Sequence, residues 1–363
     1  ERPRALARRK GSLTERLTLA IDAMGGDKAP HMVVEGVALF LDRPAADVKF
    51  LLFGDQARLK PLLDRYPRAA AVSEIRHTAD IVTNEEKPGV ALRNGRNSSM
   101  RLAIDAVGNG EAAGIISAGN TGALMAMAKF VLKTLPGIDR PAIATYYPTL
   151  RGESVMLDLG ANVDCDADNL VQFAVMGEVF ARNVLGLENP SIGILNVGAE
   201  GLKGNEAVKK AAAILESTPL PIKFYGFVEG DDIGAGTVDV VVTDGFTGNI
   251  ALKTAEGTAR VFGQFLKDAI KSTILSRLGA VLARGALNKF KMRVDPRRYN
   301  GAMFLGLNGI CIKSHGGTDG VGFANAIKVA VELITNSLNE NIKKDYAELS
   351  AHAVPLKEAV AGA

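Results

Sequence analysis

The sequence predicts an α/β protein built on a largely parallel sheet, as one large unit or as two lobes. Three observations lead there. Short apolar runs alternate with helix-like stretches along most of the chain, and such alternation gives a parallel sheet covered on both faces. Five of those runs stop at loops of Gly with Asn, Asp, Ser or Thr, each followed by a helical pattern. At 363 residues the chain can bury the large core that this architecture needs.

Taken in order, Leu17 to Asp22 is a short apolar run that fits a buried strand, and His31 to Leu41 reads as a helix with Pro30 near its start. Val48 to Gly54 is the next strand, with a helix after it to about Arg65. Ser98 to Val107 is helical, Ala113 to Ser117 a strand and Thr121 to Leu132 a helix. Pro136 to Pro148 reads as a crossover between lobes. Ser154 to Leu159, Ile192 to Val197 and Val238 to Thr243 are further strands, each with a helical stretch soon after. Ile310 to Lys313 is a short strand, and Gly320 to Leu338 a long closing helix.

The five loops fall at 23–27, 117–122, 196–205, 243–249 and 314–320. Glycine lets a backbone approach a ligand closely, and a loop that opens a helix aims free N–H groups at an oxyanion. In sheets of this kind ligands bind beyond the carboxyl ends of the strands, where all five loops lie. Gly25, Gly26 and Asp27 suit an anion cradle, or a tight turn with a salt bridge. Ser117, Gly119, Asn120 and Thr121 offer hydroxyls, an amide and N–H groups, although Asn120 or Thr121 also suits a helix cap. Lys203, inside a glycine loop, is placed to neutralise a phosphate or an oxyanion. Asp244 is an orienter or a general base, Asn249 a cap or a site residue, and His315 a site candidate or a hydrogen-bonded structural histidine.

Several function classes are disfavoured. Aromatics are 6% of the chain and Trp is absent, so stacking on nucleic-acid bases is poorly supplied. Cys165 and Cys311 have no metal-type spacing and read as reduced thiols of a cytosolic protein. No apolar run approaches the roughly 20 residues that span a bilayer. The spacing of His, Cys and carboxylates suggests no tight metal site. Neither the nucleophile elbow nor the familiar nucleotide-binding fingerprints are present in good form.

Net charge is +3 but uneven. Residues 266–298 hold nine basic and two acidic side chains, residues 1–16 six and two, and the remainder carries −8. A basic segment on an acidic body points to a local anionic partner, a membrane surface or an acidic protein. Leu266, Ile270, Ile274, Leu278 and Leu282 recur every four residues, with Lys267, Lys271, Arg277 and Arg284 between them. That pattern reads as one amphipathic basic helix, or as two broken near Gly279 or Gly285. It suits membrane or carrier-protein contact, or a dimer in which the apolar stripe packs on its twin.

The segments 21–27, 97–100, 116–125, 137–141, 160–164, 195–198, 203–206 and 242–249 resemble, in order, the bacterial PlsX phosphate acyltransferases. The resemblance runs from about Leu17 to Leu338. Lys28 departs from it, standing where the family often has His, and the extension before Leu17 is outside the pattern. It implies a two-lobed, parallel-sheet-rich fold akin to isocitrate and isopropylmalate dehydrogenases and to phosphotransacetylase. It implies that inorganic phosphate attacks the thioester of an acyl carrier protein, giving acyl phosphate for phospholipid synthesis with no cofactor. It also implies a cytosolic, peripherally membrane-associated homodimer, working at the membrane surface or with a downstream membrane acyltransferase. On this reading Lys203 neutralises charge, Asn162 or Asn249 holds the carbonyl oxygen, and Asp244 orients Lys203 or accepts a proton. The expected organisation is a basic, disordered extension at 1–16, a single catalytic α/β unit with two lobes at 17–342, and a tail at 343–363. The competing expectation is an NAD(P)-dependent decarboxylating dehydrogenase of the same fold, which the 314–319 loop resembles, although its arginine-rich substrate motif and metal-binding aspartates are not evident. A non-enzymatic membrane scaffold would leave the five polar loops unexplained.

Overall fold

The computed structural model describes residues 16–43, 47–217 and 222–348; most of the basic extension and the residues from 349 onward lie outside that range. The elements are, in order, β1 (Leu17–Asp22), α1 (His31–Leu41), β2 (Val48–Gly54), α2 (Gln56–Leu63), α3 (Pro67–Val72), β3 (Ser73–His77), α4 (Pro88–Asn94), α5 (Ser99–Gly108), β4 (Gly114–Ser117) and α6 (Thr121–Leu132). There follow β5 (Ala142–Pro148), β6 (Glu153–Leu157), α7 (Ala167–Leu185), β7 (Ser191–Leu195), α8 (Glu206–Ser217), β8 (Lys223–Val228), α9 (Gly230–Ala235) and β9 (Val240–Val242). The chain continues through α10 (Gly245–Lys271), α11 (Ile274–Leu282), α12 (Arg284–Val294), β10 (Ala302–Leu305), β11 (Ile310–Lys313) and α13 (Gly320–Thr335).

Among the described residues, eleven strands join one sheet, in the order β3-β2-β1-β4-β11-β10-β5-β6-β9-β7-β8. Side chains of a strand alternate between faces, and the core divides accordingly. Leu19, Ile21, Phe50 and Leu52 face the layer of α1, α7, α8 and α13. Ala20, Leu51, Phe53 and Ile115 face α5 and α6. α1 lies against α13 closely enough that a Cβ on Gly36 would come within 2.8 Å of Phe323.

The sheet departs from the sequence reading in its middle. β3, β2, β1, β4 and β11 are mutually parallel, as are β6, β9, β7 and β8. Between these blocks β10 pairs antiparallel with both β11 and β5, and β5 pairs antiparallel with β6. The segment expected to be a crossover therefore contributes β5, a strand in the centre of the sheet. Its apolar run Ala142-Ile-Ala144 is buried, which is why it pairs instead of crossing over solvent. The two blocks run in opposite senses, so their strand ends do not share one edge.

The basic segment also breaks differently. Ser272 closes α10 with its hydroxyl on the carbonyl of Ala269, and Thr273 caps α11 by accepting from Ser276 N–H. The next break falls at Ala283, while Gly279 and Gly285 lie inside helices. Local side-chain capping, rather than glycine, sets the first of these boundaries, and at Ala283 no side chain caps the helix. α11 and α12 bury no residue, and Leu275 and Leu282 are 83% and 89% exposed. The three helices form an arm that returns to the body where Arg293 donates to the carbonyls of Thr149 and Leu150.

Candidate active site

Three of the five glycine loops meet. β1 ends at Asp22, whose carboxylate accepts from Ser99 Oγ at 2.6 Å, from Ser117 Oγ at 2.7 Å and from Met24 N–H. Burial pushes this carboxyl above its usual range, against the pull of those donors. Ser117 Oγ in turn accepts from Gly119 N–H. Glycine is needed here, because a Cβ on Gly25 would come within 2.7 Å of Gly119 N. Gly26 has φ +108° and brings Asp27 N–H onto the carbonyl of Gly316, joining the 23–27 and 314–320 loops.

Asn120 caps α6 through Ala123 N–H and reaches back with its amide to the carbonyls of Thr83, Asn84 and Glu86. Ser117 and Asn120 thus use their side chains to build the loop. Thr121 is exposed at the first turn of α6. Asp27 accepts from Asn84.

At the centre of the three loops lies Lys313, the last residue of β11. Its ammonium donates to the carbonyls of Ala118 and Ser314. Desolvation brings its pKa down to about 8, with Asp22 and Asp27 opposing the fall and Lys253 adding to it. Next to it, buried Asn300 donates to Ser314 Oγ and to the carbonyl of Gly322, and accepts from His315 N–H. His315 Nδ1 accepts from Gly317 N–H. Burial, Lys253 and Lys313 hold the imidazole below its ordinary pKa, which favours the uncharged ring, and with Nδ1 accepting, that ring carries its proton on Nε2.

The second block supplies a separate cluster. Asp158, after β6, accepts from the N–H groups of Ile143, Ala161 and Asn162 and from the Asn162 amide. Asn162 also donates to the carbonyl of Pro141, so its side-chain amide is committed within the core. Asp244 caps α10, accepting from both the N–H and the hydroxyl of Thr247. Asn249 is exposed on the first turns of α10 and stands over Gly160, where a Cβ would be 3.6 Å from its own.

α10 connects the two clusters. Residues spaced by four share a helix face, so Lys253 follows Asn249 along α10. Its charge is felt at both Lys313 and His315. Glu256, paired with Lys253 at 2.9 Å, is felt at His315 as well.

Lys203 stands apart from this arrangement. It is exposed, pairs with Glu200 of its own loop at 2.8 Å, and is further influenced by Glu229. The pairing raises its ammonium pKa. Asp244 and Lys203 are not partners: each is engaged by a neighbour in its own loop. On the arm, Leu278 is 60% exposed, and Lys271, Arg277 and Arg284 face solvent.

Lys313, Lys253, Asp22, Ser99, Asn300 and Asp158 were not singled out as site residues from the sequence. Lys313 carried a legible signal, a lysine ending an otherwise apolar strand directly before a glycine loop. The others depend on contacts across 77 residues for Ser99–Asp22 and 15 for Asn300–His315, which no local pattern announces. Burial pushes the thiol of Cys165 up to about 12 and that of Cys311 higher still, so neither is a ready nucleophile. Among the described residues, no group of three or more His, Cys, Asp and Glu is arranged to hold a metal ion.

The fold is that of the phosphotransacetylases. A phosphotransacetylase from Streptococcus pyogenes superposes with a TM-score of 0.58 at 16% identity, over 89% of this chain and 95% of that one. The EutD phosphotransacetylase from Staphylococcus aureus gives 0.54, also at 16% identity, over 89% and 94%. In sequence, the phosphate acyltransferase of Rhodospirillum centenum is 64% identical over 93% of this chain and 95% of its own length. That of Paramagnetospirillum magneticum is 62% identical over 95% and 98%. The family model described as fatty acid synthesis protein matches residues 17–341, and the chain belongs to this family, the PlsX family.

Proposed function

We propose that this protein transfers a fatty acyl group from an acyl carrier protein thioester to inorganic phosphate, releasing acyl phosphate for phospholipid synthesis. The observation that carries the reading is the meeting of three glycine loops around Lys313 in a chain up to 64% identical to proteins named phosphate acyltransferase. Those names also favour acyl transfer over the dehydrogenase alternative.

Phosphate is itself the nucleophile. Its oxygen adds to the thioester carbonyl, the C–S bond breaks as the tetrahedral oxyanion collapses, and the carrier leaves as a thiol that takes a proton. The protein must hold an anion in position and stabilise a second negative oxygen. We assign phosphate to the cradle of Gly25, Gly26, Asp27, Ser117, Gly119, Asn120 and Thr121. The loop-building residues shape it, and Thr121, Lys313 and Lys253 face the ligand. With Asn162 committed to Asp158 and Pro141, Asn249 is the amide assigned to the carbonyl oxygen. Lys203 supplies charge to the transition state, Asp244 holds the start of α10 that carries Asn249, and His315 lines the phosphate side as a neutral donor.

The arm, with its exposed apolar residues and basic flanks, is assigned to the membrane surface, where a downstream membrane acyltransferase would take up the acyl phosphate. A homodimer through the same helices is compatible with this placement. Among the described residues, no helix is long and apolar enough to cross a membrane. The test is direct: protein, acyl carrier thioester and phosphate are mixed and free thiol is followed. Release that needs phosphate supports the reading; reduction of a nicotinamide by a hydroxy acid, without thiol release, overturns it.

A further inference from the structure

One turn beyond the glycine loop that opens α6, a groove of about 520 Å³ runs along this helix beside α4. Leu92, Met125, Ala126 and Phe130 give it an apolar lining, and Lys129 and Lys133 a basic rim. Phe130 is 54% exposed, and two cations lie over its ring: Lys133 Nζ is 4.8 Å and Arg101 Cζ 5.5 Å from the centroid. An exposed aromatic flanked by cations is the kind of anchor on which protein interfaces concentrate their affinity.

The backbone points the same way. Lys133 has φ 61° and ψ 175°, a conformation that favours glycine. It is pinned there from both sides, its N–H donating to the carbonyl of Lys129 and its carbonyl accepting from Asn308 N–H. A lysine in place of the relaxed residue puts a cation over Phe130. Of the nearby acids, Asp105 is taken up by Arg101 at 2.8 Å, while Arg93 and Arg96 add exposed positive charge beside α4.

We propose that the α4–α6 groove is the docking surface for the carrier protein, engaging an acidic face with an apolar centre and so delivering the acyl thioester to the glycine loops. Thr121 at one end of α6 and Lys133 just past the other are about 18 Å apart at 1.5 Å per residue, so a tethered thioester reaches the cradle along the helix. The inference rests on the acyl-carrier reading above and deepens it by naming where the carrier sits.

The experiment compares two donors with the full chain: the acyl carrier thioester, and a truncated acyl-pantetheine thioester lacking the carrier protein. In Phe130→Glu the KM for the carrier thioester should rise about tenfold or more, while kcat/KM for the truncated donor stays within about twofold. Lys133→Gly should raise the carrier KM too, with an unfolding midpoint at or above wild type because the strain is relieved. Binding of unacylated carrier, read by fluorescence anisotropy, should weaken in both variants and in high salt. An unchanged carrier KM in folded Lys133→Gly and Phe130→Glu overturns the proposal, as does an equal loss on both donors. So does a carrier KM that responds to Leu278→Glu on the arm instead, or loss of anionic-vesicle binding in the groove variants. If wild type releases no thiol from either donor, the functional reading fails, and the anisotropy measurement still decides whether the groove binds the carrier.

Discussion

Lys313 ends a strand and Lys203 lies beyond the end of one, both in or beside glycine loops, but the protein treats them in opposite ways. Lys313 is enclosed by three interlocked loops, donates to two main-chain carbonyls and has an ammonium pKa drawn down to about 8. Lys203 is exposed, leans on Glu200 and has its ammonium pKa raised. A desolvated cation on a rigid frame suits binding of an anion in the ground state, since it is already stripped of water. A solvated cation on an open loop gives up an exposed partner such as Glu200 at little cost when charge appears during the reaction. On the proposed function, the contrast separates holding phosphate from stabilising what phosphate becomes.

The largest effect that would sharpen this contrast is on turnover. Lys203→Ala should lower kcat by about 10²–10³-fold, with an unchanged unfolding curve because the residue is exposed. Near-normal turnover would remove Lys203 from the mechanism and break the comparison. Lys313→Met should instead raise the KM for phosphate, by about tenfold, with a smaller change in the KM for the acyl donor. A loss confined to kcat would contradict the ground-state role.

pH gives a second handle on Lys313. As pH climbs through about 8 the ammonium loses its proton, so phosphate affinity should fall, and Lys313→Arg should abolish that fall. The groups facing Lys313 are Asp22, Asp27, Lys253 and Cys311, with His315 beside it. Stability runs the other way. The folded pKa lies below the ordinary 10.5, so the unfolded chain binds the extra proton between these values, and this group makes folding more favourable as pH rises through that window. Lys313→Met should lose the increment, checked by denaturant titrations at pH 8 and pH 10.

The two asparagines offered for the carbonyl oxygen separate in the same manner. Asn162→Ala should destabilise the fold by about 1–3 kcal/mol, because it leaves Asp158 and the carbonyl of Pro141 short of buried partners. Asn249→Ala should spare stability and lower turnover. The reverse pattern would exchange their roles. The smallest effect on chemistry is expected on the arm: the double variant Leu278→Glu, Leu282→Glu should keep thiol release and lose sedimentation with anionic vesicles.

The fold class, most early elements and all five glycine loops could be read from the sequence, because local apolar runs and turn chemistry set them. Thr121–Leu132 appears as a helix with the same bounds. The reversal of the sheet at β10, β5 and β6 was not legible, since strand direction depends on which distant partner a strand meets. For the same reason two of the five loops do not join the Lys313 cluster directly, although all five follow strand ends. Short elements such as α3, α9 and β10 lacked enough residues to show a period. At the site, Gly25, Gly26 and Ser117 could be picked out by composition. What Ser117 and Asn120 do with their side chains could not, because Asp22, Ser99 and the 83–86 carbonyls reach them only through tertiary contact.

The central claim is that phosphate is the acyl acceptor, held beside Lys313. Purified protein incubated with acyl carrier thioester should release one thiol per acyl phosphate formed, only when phosphate is present, with a phosphate KM that rises in Lys313→Met. Thiol release that proceeds equally without phosphate, or a phosphate KM indifferent to Lys313, would contradict it.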